Sequence, residues 1–155
     1  MNCSERMSKI LKKEYIRDGR APIPVKERTS RTMSAIRAKN TKPEIILRKA
    51  LLENNLRGYR LHPSNIPGRP DICYPKKKIA IFVHGCFWHK CPHCKPRTPR
   101  SHVLFWKNKF RANINRDKMK LRELKNSGWR TMVIWECQIN NELKKHIEII
   151  KNFKN

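Results

Sequence analysis

The sequence predicts an α/β domain, a mixed β-sheet flanked by helices, and three observations carry that reading. Residues 79–84, IAIFVH, make a continuous apolar run of strand length, the pattern of a buried central strand. Segments with helical periodicity lie on both sides of that run, and a second strand segment, WRTMVIWE at 129–136, follows the longer one. The order helix, three strands, helix, strand, helix then fits one sheet covered by helices. At 155 residues the chain suits a single core rather than two.

Residues 1–25 carry scattered charge, one glycine and the segment APIP, which suits a loosely held arm leading to a single domain over 26–155. Two helical pieces follow, separated at residues 40–43. Thr41 is placed to cap the second, Pro43 suits its first turn, and Ile45, Ile46, Leu47, Leu51 and Leu52 supply an apolar side, so a helix is expected over residues 43–55. Three strand candidates come next, RGYRLH, DICYP and IAIFVH. The turn IPGRP fixes the approach of the chain to Asp71, and the basic turn PKKK leads into the third strand.

The segment GCFWHKCPHCKPRTPRSH at 85–102 sustains neither the helical nor the strand period, so its order is expected to come from a bound metal. From 103 to 127, Leu104, Phe105, Phe110, Ile114, Met119, Leu121 and Leu124 give a mainly helical pattern that Gly128 stops. Trp129 and Trp135 lie in or beside the last strand and read as core residues, and NELKKHIEIIKNFK at 141–154 reads as a terminal helix.

Lys and Arg total 37 against 12 Asp and Glu, a formal charge of +25, with an isoelectric point near 10.5. Such an excess repels itself in a folded chain unless a polyanion neutralises it, which makes nucleic acid the expected partner. The sequence has no apolar run near the roughly 18–20 residues of a membrane span. Its first residues lack the apolar core of a secretory signal, so the reducing cytoplasm is the expected compartment.

Six cysteines there read as metal ligands, reactive thiols or packed residues rather than disulfides. Cys3 falls in the arm and Cys73 in the apolar stretch DICY, where it reads as a small packed residue. Cys86, Cys91 and Cys94 fall close together with His89 and His93, and Cys137 follows the last strand directly. Tetrahedral zinc takes four soft or borderline ligands, and Cys86, Cys91, Cys94 and Cys137 are the simplest set. His93 is the rival ligand should Cys91 or Cys94 point away.

Asp71 follows Gly68-Arg69-Pro70 and opens a strand, where its carboxylate suits magnesium, an oxygen-seeking ion that also binds phosphate. A Pro-Asp dipeptide is equally ordinary turn chemistry. His84 and His89 bracket Gly85 and Cys86 at the exit of the apolar strand. An imidazole there can take a proton from water or give one to a leaving oxygen, and it can equally be a zinc ligand or a packing residue.

Four ordered blocks go further: PGRPD at 67–71, FVHGCFWH at 82–89, FWKNKFRANINRD at 105–117 and GWRTMVIWEC at 128–137. Together they closely resemble the very-short-patch-repair mismatch endonucleases, and TMSAIRAKNTKPE at 32–44 is similar to that family's N-terminal element. The resemblance covers residues 28–137, most of the chain. It implies a restriction-endonuclease-like fold with a structural zinc site. It also implies magnesium-dependent nicking of duplex DNA on the 5′ side of the thymine in T:G mismatches, which arise when 5-methylcytosine deaminates.

By the same resemblance Asp71 is the magnesium-binding carboxylate, with the Val83 backbone carbonyl as a second ligand. His89 is the general base, His84 a second catalytic imidazole, and Asp117 the acid that orients a histidine. Glu44 matches an acidic position that assists at the site, although by itself it also reads as a solvated residue of a first helical turn. Phe87, Trp88 and Trp106 match the aromatics inserted beside the mismatch, where a weakly stacked pair is cheap to open.

The chain departs from the family pattern in three places. Val83 stands where the family often has Thr, Cys91-Pro-His93-Cys94 replaces a more His-rich spacing, and a long leader accompanies a short tail. A monomer acting on mismatched duplex, alongside mismatch-repair proteins, is the expected setting. Two other readings remain open from sequence: a related magnesium nuclease with another DNA substrate, and a non-catalytic zinc-containing DNA-binding protein. Asp71 and His89 separate them from the last, since a pure binder needs neither.

Overall fold

Thr41 and Glu44 start the first helix, α1 (Lys42–Glu53): the Glu44 carboxylate turns back to accept the Thr41 backbone N–H at 3.3 Å. The computed structural model describes residues 39–154, so the expected arm at 1–25 and the helical piece ahead of Asn40 lie outside the described residues. Leu47, Ala50 and Leu51 recur at helical spacing and are buried, whereas Ile45 and Leu52, expected on the same apolar side, point outward at 51% and 49% exposure. The helix ends earlier than residue 55 because the Asn54 side chain bonds the Ala50 carbonyl at 2.8 Å and Asn55 turns left-handed.

Four strands follow: β1 (Arg60–Leu61), β2 (Ile72–Tyr74), β3 (Ile79–His84) and β4 (Arg130–Trp135). The RGYRLH segment shrinks to two paired residues because Gly58 and His62, at φ 88° and 43°, leave the extended region. A 3-10 turn at Pro75–Lys77 and a left-handed Lys78 join β2 to β3. The sheet order is β1-β2-β3-β4, antiparallel for the first two pairings and parallel for β3 with β4. A parallel pair needs a long crossover, and α2 (Val103–Asn126) supplies it.

Both faces of β3 are covered, which is why its sequence is apolar throughout. Ile79 and Ile81, with Ile72, Tyr74 and Ile134, face α1 and the terminal helix α3 (Glu136–Lys154) through Leu47, Leu51, Ile139, Ile147 and Ile150. Ala80 and Phe82, with Cys73, face Leu124 of α2, joined by partly buried Leu121, Trp129 and Val133. Cys73 is thus the packed residue expected. Leu104 and Met119 of α2 belong to its outer side, at 76% and 71% exposure.

Two sequence expectations need correction here. The last helix begins at Glu136, ahead of the expected residue 141; the break lies at Glu142, whose φ of −133° is not helical. Ile139, 1% exposed, anchors the added turns by burial, which overrides the modest helix propensity of the Gln-Ile-Asn-Asn stretch. Trp135 is half-buried and sits edge-on to His84, ring centroids 5.2 Å apart, because it ends β4 opposite the end of β3. It borders the site described next and is not part of the core.

Strand directions decide where that site lies. Because β1, β2 and β3 alternate and β4 runs with β3, the residue after β1 (His62), the residue before β2 (Asp71), the end of β3 (His84) and the residue after β4 (Glu136) share one edge of the sheet. Among the described residues no helix is long and apolar enough to cross a membrane.

Candidate active site and metal centre

At that edge a cleft of about 490 Å³ is lined by Glu44, His62, Asp71, Val83, His84, His89, Asp117 and Lys120, among others. Asp71 is delivered by successive left-handed residues Gly68 and Arg69. A Cβ on Gly68 would stand 3.0 Å from the Lys120 side chain, so glycine there serves both the positive φ and the close approach of α2. Asp71 Oδ2 accepts the Val83 N–H at 2.7 Å, just past the last β2–β3 pair. A strand residue points its N–H and C=O to the same side, so the Val83 carbonyl opens toward Asp71 as well. Burial pushes the Asp71 carboxyl above its ordinary value against the pull of the Val83 hydrogen bond, and neighbouring Glu44 adds to the rise.

Glu44 is 3% exposed, which removes the reading of a solvated helix residue. Its Oε1 accepts from the Thr41 N–H and hydroxyl at 3.3 and 2.8 Å, and its Oε2 from the Asn40 N–H and Arg48 Nη2 at 3.1 and 2.8 Å. His62, not singled out in the sequence, stands between the two acids: Nε2 lies 3.2 Å from Glu44 Oε2 and Nδ1 lies 3.6 Å from Asp71 Oδ1. The sequence singled out none of Arg48, His62 and Lys120. A Glu-Arg pair at i,i+4 was the available signal for Arg48, whereas nothing local marks a histidine that leaves a strand.

Across the cleft, His84 ends β3, His89 sits in the turn after it, and Asp117 faces them from α2. His89 Nδ1 is in very short hydrogen-bond contact with Asp117 Oδ2, and the His84 and His89 rings stack with centroids 4.1 Å apart. The turn is held by His89 N–H to Gly85 C=O at 3.2 Å and by buried Asn113 of α2, whose amide donates to the Trp88 carbonyl at 2.9 Å. Burial, then the neighbouring His89, holds the His84 imidazole down to about 4, so it is neutral at neutral pH. Burial pushes Asp117 up, but the hydrogen bond and charge of His89 outweigh it and the carboxyl lies below its ordinary value.

Beside this group the aromatics form one packed cluster. Phe87 meets Trp88, Trp106 and Phe110 edge-on at 5.1 to 5.3 Å, and Trp106 stacks on Phe110 at 5.6 Å. Trp88 is half-buried on the cleft wall, while Trp106 is 8% exposed.

The four thiols Cys86, Cys91, Cys94 and Cys137 converge with their sulfurs within 4.8 Å of one another, an arrangement that can hold a metal ion. Cys91 Sγ lies 3.7 Å from Cys137 Sγ, against about 3.8 Å between two thiolates on one tetrahedral zinc ion. Cys137 reaches the loop from the first turn of α3; its N–H bonds Cys86 Sγ at 3.3 Å, and Glu136 accepts the Cys86 N–H at 3.1 Å. Burial pushes Cys91 up, but the backbone amides of Cys94 and His93 aim at its sulfur and leave the thiol net below its ordinary value. His93 is exposed and outside this group.

Comparison with known proteins matches residues 23–95 to the family described as DNA mismatch endonuclease Vsr. The Type II nicking enzyme V.XorIIP of Xanthomonas oryzae is 39% identical over 115 residues, covering 74% of this chain and 84% of that protein. The DNA mismatch endonuclease Vsr of Escherichia coli is 34% identical over 125 residues, covering 80% and 79%. Among solved structures, the catalytic domain of the homing endonuclease I-Bth0305I matches with a TM-score of 0.51 and 25% identity, covering 74% of this chain and 94% of that one. The four-stranded mixed sheet with flanking helices is the restriction-endonuclease-like fold expected from sequence.

Proposed function

This chain belongs to the Vsr family of DNA mismatch endonucleases, and on that premise we propose that it nicks duplex DNA on the 5′ side of the thymine in a T:G mismatch, with magnesium at Asp71. The observation that carries the reading is that His89, oriented by Asp117, opens onto the same cleft as Asp71. With Nδ1 engaged by Asp117, His89 keeps Nε2 for a water proton, the arrangement of a general base held in one tautomer. His84, neutral and stacked on it, fixes the ring plane and adds a second imidazole nitrogen beside the phosphate position. Lys120, from the cleft wall, adds positive charge for the phosphate.

Oxygen donors suit magnesium: Asp71 Oδ1 and the Val83 carbonyl would hold the ion, which when bound supplies Lewis acidity to a phosphate oxygen. Zinc fits the four cysteines, where it would tie the site-bearing turn to α3. Phe87 and Trp88, with Trp106 behind them, would stack against the opened mismatch. The chain would act as a monomer in the cytoplasm, its net charge of +25 drawing it to the DNA backbone.

A panel of labelled duplexes with T:G, A:C, matched and abasic sites, with magnesium present or withheld, tests this. The expected result is one nick 5′ of the mismatched thymine, only with magnesium. Equal cutting of every duplex would overturn the specificity, and cutting without a divalent ion would overturn the metal assignment.

A further inference from the structure

We propose that His62 is a direct ligand of the divalent cation at Asp71, with Glu44 acting on that cation only by orienting His62. The inference rests on the reading of Asp71 as the metal carboxylate and adds to it the identity and source of a further ligand.

The lone pairs of Glu44 are already committed. A carboxylate offers about four acceptor sites, and Glu44 faces the Thr41 N–H and hydroxyl, the Asn40 N–H, Arg48 Nη2 and His62 Nε2, all between 2.8 and 3.3 Å. The guanidinium of Arg48 also neutralises its charge, and the side chain is 3% exposed. To ligate an ion directly, Glu44 would have to give up the contacts that start α1.

His62 is in the opposite condition. Nε2 lies 3.2 Å from Glu44 Oε2, which can only accept, and 3.3 Å from Arg48 Nη2, which can only donate, so its two neighbours favour opposite tautomers. A cation on Nδ1 would select the tautomer in which Nε2 donates to Glu44, with the guanidinium keeping its bonds to Asn40 and Glu44, and ligand atoms of Glu44, His62 and Asp71 lie within 4.8 Å of one another, close enough to hold one ion. Nδ1 points at Asp71 Oδ1, whose partner oxygen Oδ2 is occupied by the Val83 N–H. The separation of 3.6 Å is too long for a hydrogen bond. It is short enough to be bridged by two metal–ligand bonds of about 2.1 Å each. A carboxylate that holds the far nitrogen of a ligating histidine is a recurrent way of fixing the ring and raising its basicity. The left-handed backbone at His62, φ 43°, is what turns the ring into the cleft at the end of β1.

An imidazole in an otherwise oxygen site moves preference from magnesium toward manganese. Manganese(II) alone, added to the full chain, is therefore the probe, read by electron paramagnetic resonance for affinity and by spin-echo envelope modulation for bound nitrogen. The parent should bind manganese with nitrogen modulation. His62→Gln, with its circular dichroism unchanged, should lose the modulation and bind manganese about tenfold or more weakly, with a smaller change for magnesium. His89→Asn serves as the control and should keep the modulation. Modulation and affinity that persist in His62→Gln while Asp71→Asn abolishes binding would overturn this proposal alone. Manganese that stays bound in Asp71→Asn would overturn it together with the reading of Asp71.

Discussion

The imidazoles of His84 and His89 lie stacked in the cleft, ring centroids 4.1 Å apart and planes 10° from parallel. Two imidazolium ions at that distance would repel, and burial of the His84 ring holds it neutral. The proton-handling capacity of the site therefore rests on His89, which alone has a carboxylate partner, Asp117.

Stability should record the refusal of His84 to charge. Its folded value, about 4, lies below the ordinary 6.5. Between those values the unfolded chain takes up a proton that the folded chain does not, so stability falls as pH drops through the window, by at most about 3 kcal/mol. His146, also lowered by burial, contributes with the same sign. Asp117, lowered, holds its contribution until the pH falls below about 3.8. Urea midpoints measured across the window should drop less steeply in His84→Asn than in the parent, and equal slopes would contradict the assignment.

Asp117→Asn removes the group that holds the His89 tautomer. Single-turnover nicking should slow by about 10²- to 10⁴-fold, while DNA affinity in a gel-shift titration changes little. A loss of affinity as large as the loss of rate would instead place Asp117 in DNA binding.

Cys137→Ala should release one equivalent of zinc, measured by elemental analysis of the purified protein. In the proposed site zinc would tie the loop from Cys86 to Cys94 to the first turn of α3, a link that the packing of Phe87 and Trp88 alone does not supply, so its loss should destabilise the protein by several kcal/mol. Retention of zinc in this variant, with release in His93→Ala, would exchange the two residues in the ligand set.

Trp88 and Trp106 should separate by phenotype. Trp106→Ala empties a packed position of the aromatic cluster and should cost about 3–5 kcal/mol of stability. Trp88→Ala, half-buried at the cleft, should leave the melting temperature closer to the parent's and reduce the preference for mismatched over matched duplex, by about 1–3 kcal/mol in binding. The opposite ranking would make Trp88 the structural residue.

What the sequence determined by itself is whatever follows from local periodicity and ordered motifs. The apolar run of β3 announced a strand covered on both faces, Thr41 and Pro43 announced a helix start, and the spacing of Cys86, Cys91, Cys94 and Cys137 suggested a cluster, whose sulfurs lie within 4.8 Å of one another. The motif blocks around Asp71, His84, His89 and Asp117 named the residues that line the cleft. Only the tertiary structure decided that Glu44 is buried, that His62 stands between it and Asp71, that Trp106 is packed behind Trp88, and that Cys137 opens a helix instead of trailing a strand. The physical reason is that a side chain's burial and partners depend on strand order and direction. Alternating β1, β2 and β3 brings His62 and Asp71 to one edge, and no property local to either residue encodes that meeting.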